Sequence, residues 1–106
     1  MADFYIELAG PNAEADAEAL RHALADTAES KATPQGAVRG VDAVVVITVT
    51  AAVLQSVDII YRFYQDWRGR QRPLPGSHPQ MTIIRPDGTR IELAQADAET
   101  VKALLG

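Results

Sequence analysis

Apolar and polar residues alternate over DFYIELA, residues 3–9, with Phe4, Ile6 and Leu8 on one side and Asp3, Tyr5 and Glu7 on the other. A period of two carried by β-forming side chains predicts a strand over 3–9 with one buried face. Gly10-Pro11-Asn12 ends it, and Asn12 is placed to cap a helix. In AEADAEALRHALADTAE the period lengthens. Ala13, Ala17, Leu20, Leu24 and Ala28 recur at helical spacing, and acids crowd the first turns, where the helix dipole favours them. The pattern predicts a helix over 13–29.

Residues 30–42, SKATPQGAVRGVD, hold Pro34, Gly36 and Gly40 and read as a flexible connection. The β-branched run VVVITVT, 44–50, suits a strand buried on both faces. A short apolar run does not settle its own type, so one long helix over 42–68 is the alternative to a strand over 44–50 and a helix from about 50 to 68. Within that helix Val53, Val57, Ile60, Tyr64 and Trp67 form an apolar stripe. QMTIIRPDGTRIELA reads as a hairpin, 80–85 with 90–94, turning at Asp87-Gly88. Pairing Arg85 with Arg90 sets Ile84, Ile91, Thr82 and Leu93 on the core face and leaves Met81 and Ile83 on the other. Asp97 caps a last helix, 97–105, whose apolar side is Val101, Leu104 and Leu105. The elements predict an α+β fold: a two-layer sandwich in which these helices cover a small mixed sheet.

At 106 residues the chain is read as a single domain, 1–106, large enough for one core. Its 47% hydrophobic and 23% charged residues are ordinary globular values. The absence of cysteine removes disulfides and thiolate catalysis. MADFYIELAG lacks a signal-peptide pattern, and the longest apolar run, 43–54, is short of the ~20 residues a membrane span needs. A cytoplasmic protein without a membrane partner is expected.

Charge is unevenly spread around the formal net of -4: residues 1–30 carry seven acids against Arg21, and 39–90 carry seven arginines against four acids. Attraction between these halves within the fold is the simplest reading. Arg68, Arg70 and Arg72 sit at and just beyond the end of the second helix, where cations meet the negative end of the dipole, and Arg62 lies on its polar side. A nucleic-acid site would need a net basic surface with interleaved aromatics, so no nucleic-acid partner is expected.

Catalytic signatures are missing from the sequence. His22 and His78 form no metal-ligand spacing, Ser77-His78 lacks a nucleophile elbow, and Gly36 and Gly40 do not make a phosphate loop. No cofactor or enzymatic activity is expected. Contact surface is the better reading. Ile59 and Phe63 lie on a flank of the second helix, Met81 and Ile83 on the outer hairpin face, and Arg68, Arg70 and Arg72 at the rim. If exposed, the apolar pairs would form patches that mark a protein-binding site.

A stripe ending in Trp67 at a helix end, arginines after it, then MTIIRPDGTRIEL and a closing helix resemble the first class of effector-associated constant components. These are small bacterial domains of conflict systems, notably in actinobacteria. The resemblance runs from Gly40 to Leu105, with IELAG echoing the family's opening strand. It implies the long-helix reading of 42–67, from which VVVITVT departs. It also implies a non-enzymatic adaptor in anti-phage defence, coupling a trypsin-like or caspase-like peptidase effector, or a signalling ATPase, to the rest of the system. Two other readings remain: a sensing module for an anionic, nucleotide-like ligand held by the arginine loop with Arg85 and Arg90, and a self-associating structural subunit, a homo-oligomer.

Overall fold

A computed structural model describes residues 3–39, 42–50, 55–71 and 75–105. In chain order the elements are β1 (Phe4–Gly10), α1 (Ala13–Leu24), β2 (Glu29–Arg39), β3 (Asp42–Thr50), α2 (Gln55–Arg70), β4 (Gln80–Ile84), β5 (Arg90–Glu92), a 3₁₀ turn (Leu93–Gln95) and α3 (Ala98–Leu105). The five strands form one sheet in the order β2-β3-β1-β4-β5, and every neighbouring pair is antiparallel. The expected mixed sheet is thus corrected to an antiparallel one. Because β3 lies between β1 and β2, and β1 between β3 and β4, the chain makes two interleaved split β-α-β crossovers, the ferredoxin-like arrangement. The hairpin strand β5 and α3 extend it at one edge.

The inner face of the sheet is the core. Ile6 sits in register between Ile47 and Ile83, and Ile83 opposes Ile91. Ile6, Ile47 and Ile83 are wholly buried, each side chain contributing about 1.5–3 kcal/mol of hydrophobic stabilisation. The α1 stripe (Ala17, Leu20, Leu24) and the α2 stripe (Val57, Ile60, Tyr64, Trp67) close over this face, as their spacing predicts.

Several boundaries differ from the sequence reading. The long helix over 42–68 is overturned: 42–50 is a central strand and α2 starts at Gln55, while 51–54, where its first turn was expected, lies outside the described residues. The first helix stops at Leu24 instead of 29, and Asn12 makes no side-chain cap bond, its carbonyl alone accepting the Asp16 N–H at 2.9 Å. The connection over 30–42 is largely the edge strand β2. Proline is tolerated on an edge strand because its missing N–H can fall on the unpaired side, and the register shifts between Pro34 and Val38.

The hairpin is shifted by one residue from the pairing the sequence suggested. The Arg85 N–H donates to the Thr89 carbonyl at 2.8 Å, which leaves a three-residue loop with Gly88 at φ 93°. Ile84 therefore opposes Arg90, and Ile83 opposes Ile91. A one-residue slip exchanges the faces. Met81 and Ile83 enter the core, and Ile84 and Thr82 turn to the outer face. The second strand ends at Glu92 instead of 94, and the 3₁₀ turn folds Leu93 back into the core. Asp97 caps α3 as expected, accepting the Thr100 N–H at 2.7 Å.

Candidate functional site

The helical layer is held together by polar clasps at its ends. The Trp67 indole Nε1–H donates to Asp16 Oδ2 at 2.8 Å, and Ser56 Oγ donates to Thr27 Oγ1 at 3.2 Å. These two bonds fix α1 antiparallel to α2, with residue 16 beside 67 and residue 27 beside 56. On the far side, Lys102 Nζ meets Asp58 Oδ1 at 2.8 Å and ties α3 to α2. The Asp58 carboxylate holds the Lys102 ammonium above its ordinary pKa. At the start of α3, the hydroxyl and N–H of Thr100 hold the Asp97 carboxyl below its ordinary value.

Between the clasps α2 presents one apolar flank. At ~100° per residue, Ile59, Phe63 and Arg70 lie on the side of α2 turned toward α1, above the buried stripe. Ile59 and Phe63 are half-buried against the edge of the core and leave apolar surface exposed. The antiparallel pairing brings the exposed Ala19 and Ala23 of α1 alongside them. Small residues on one helix beside a Phe/Ile pair on the other make a shallow apolar seam. Arg62, Asp66 and Arg70 border it, with Arg70 Nη2 3.1 Å from Asp66 Oδ2.

The other residues expected at the site are distributed differently. Met81 is 2% exposed and Ile83 not at all, so neither offers contact surface, because the shifted hairpin register turns both inward. Arg68 is exposed but points away from the seam, over a groove of about 280 Å³ that it lines with Tyr64, Trp67, Gln71 and Pro79. Arg72 lies outside the described residues.

Among the described residues the arginines do not pool into an anion site. Arg90 Nη2 is 2.8 Å from Glu7 Oε1, and Arg85 Nη1 is 3.9 Å from Asp87 Oδ2. Arg68 adjoins Pro79, just before β4, whereas Arg85 follows its far end, roughly 20 Å along a strand. Among the described residues no three His, Cys, Asp or Glu side chains gather to hold a metal ion. None of the described helices is long and apolar enough to cross a membrane.

One polar cluster escaped the sequence reading. Asp42 is 1% exposed; its Oδ1 accepts the Ser77 hydroxyl at 2.7 Å and its Oδ2 the His78 N–H at 2.6 Å. Ser77 thus bonds the carboxylate directly and His78 does so through its backbone, an arrangement that fixes the chain before β4 and is not a nucleophile–base–acid relay. The signal was present: an acid at the head of an apolar run, and a Ser-His pair beside prolines.

A family model described as Effector Associated Constant Component 1 matches residues 9–106. No curated protein and no solved structure matches the chain.

Proposed function

Because the chain belongs to the Effector Associated Constant Component 1 family, we propose that it is a non-enzymatic adaptor which docks an effector protein on its helical layer. The family match over 9–106 carries this reading. The effector is a peptidase of the trypsin-like or caspase-like kind, or a signalling ATPase, within a cytoplasmic bacterial defence system. The α1–α2 seam is the docking surface, with Ile59 and Phe63 as its apolar centre and Arg62 and Arg70 as its rim. Buried aromatic and aliphatic groups carry most of an interface's affinity, while rim charges mainly set the association rate.

Supporting this reading, the seam combines exposed apolar surface with a rigid backing of core contacts and clasps. Such surfaces bind without large reorganisation. Measuring the affinity of the purified protein for the effector of its own system tests it. Phe63→Asp is expected to weaken binding about thirtyfold or more, and Arg70→Glu to slow association with little change in dissociation. Trp67 fluorescence reports whether each variant keeps the helical layer intact. Undiminished binding by a folded Phe63→Asp would remove the seam from the account.

A further inference from the structure

Among the described residues no helix covers the outer face of the sheet. Strand alternation and register set its side chains in rows. One row reads Lys31, Thr48, Tyr5, Ile84, Arg90 and the next Thr33, Val46, Glu7, Thr82, Glu92. Towards the end where Asp42 grips Ser77 and His78, Val44 and Ala9 are already buried. Within these two rows Tyr5, Val46, Thr48 and Ile84 are half-buried, whereas Thr82 is 2% exposed. An open antiparallel face ordinarily carries polar side chains. This one sets β-branched and aromatic side chains around a central Glu7, which Arg90 reaches at 2.8 Å, and carries Lys31, Arg90 and Glu92 on its edge strands.

We propose that this face is self-complementary and pairs two copies of the chain. A closed pair needs a two-fold axis, and the charges select which one. An axis along the strands would lay β2 of one copy over β5 of the other and bring Lys31 against Arg90, like against like. An axis across the strands, between the two rows, lays each row over the other row of the second copy. Arg90 then meets Glu92 of the second copy, twice by symmetry. Tyr5 brings its hydroxyl to Glu7, while Thr48 lies over Val46 and Ile84 over Thr82. The reach of arginine spans the edge offset that the ~30° angle between packed sheets introduces.

The area agrees with a modest affinity. Five strands ~4.8 Å apart and about seven residues long present roughly 500 Å² per copy, or about 1,000 Å² in the pair, at the weak end of specific interfaces. A nucleic-acid strand fits poorly, since Glu7, Glu29 and Glu92 stand on this face and Tyr5 is its one aromatic. The pairing leaves the α1–α2 seam free and stands or falls independently of effector docking.

Sedimentation or light scattering over a dilution series from millimolar to low micromolar tests the proposal. Wild type is run beside Arg90→Glu, Glu92→Arg and their equimolar mixture. Wild type should show a concentration-dependent dimer. Each variant alone sets like charges together and should associate about a hundredfold more weakly. The mixture sets two acidic positions of one copy over two basic positions of the other and should recover the dimer. Arg90→Glu also loses the Glu7 ion pair, so Val46→Lys, at the centre of the face, provides a second disruption without that partner. A wild type that stays monomeric throughout overturns the proposal. So would single variants that dimerise like wild type, or folded variants whose mixture stays monomeric, including the case where the face is instead taken by the effector.

Discussion

The two faces of the sheet are built from the same strands and differ in what covers them. On β3, Val45, Ile47 and Val49 point inward and are buried under α1 and α2, whereas Val46, Thr48 and Thr50 point outward and are only half-covered. Both sets are β-branched, so strand propensity does not separate them; helix packing does. The inner face is where burial stabilises the fold. Over Val46, Thr48 and Thr50 the outer face keeps strand-forming side chains with less of that gain, which is why it is the face proposed to pair two copies. The helical layer repeats the contrast: the stripe through Val57, Ile60, Tyr64 and Trp67 faces inward, and the Ile59–Phe63 flank is only half-buried.

Truncations on opposite faces of the molecule should separate most widely. Trp67→Ala empties a nearly buried indole site and releases Asp16, at a cost of about 3–5 kcal/mol. Ile47→Ala should cost about 2–5 kcal/mol, but Val46→Ala, one residue away on the open face, about 1 kcal/mol or less. Denaturant midpoints at constant slope measure all three. Equal losses at Ile47 and Val46 would mean that the outer face is as structural as the inner one.

Asp42→Ala tests the clamp that closes one end of the outer face. It leaves the Ser77 hydroxyl and His78 N–H without their acceptor and should cost about 1–3 kcal/mol, with faster amide exchange at His78. If exchange there is unchanged, Asp42 does not hold the loop. Gly88→Ala forces a β-carbon into the positive-φ position of the hairpin turn and should cost about 1–2 kcal/mol. Its chemical-shift changes should stay near the turn, since the register is set along the whole of β4 and β5.

The smallest expected effect is a pH response at α3. The folded Asp97 carboxyl titrates below its unfolded value, so the cap's contribution is present above the unfolded pKa and fades as pH falls through the folded one. The Thr100 amide shift should follow this acid transition, and Asp97→Asn should flatten it. A Thr100 amide that does not move with Asp97 would show that the cap is not formed in solution.

The sequence was legible where one local pattern met one burial environment. β1 alternates cleanly and has one covered face; the α2 stripe keeps its helical period through Trp67. The strand–helix ambiguity at 42–50 was resolved by sheet order, which places β3 between β1 and β2, a long-range fact absent from local pattern. β2 was hidden by Pro34 and Gly36, which an edge strand tolerates because one side of its backbone is unpaired. The hairpin faces were exchanged because a three-residue loop and a four-residue loop fit the same Asp-Gly signal. That slip moved Met81 and Ile83 from the expected contact surface into the core. Ile59 and Phe63 keep the half-buried flank position read from the sequence because their offset from the stripe is set within one helix and needs no partner strand.

Effector affinity, measured side by side for wild type, Phe63→Asp on the helical layer and Arg90→Glu on the sheet face, tests the division of roles most directly. The account predicts that Phe63→Asp, folded by its Trp67 fluorescence, loses binding, while Arg90→Glu binds the effector as wild type does. Loss of binding in Arg90→Glu with retention in Phe63→Asp would contradict it and move the effector to the open sheet.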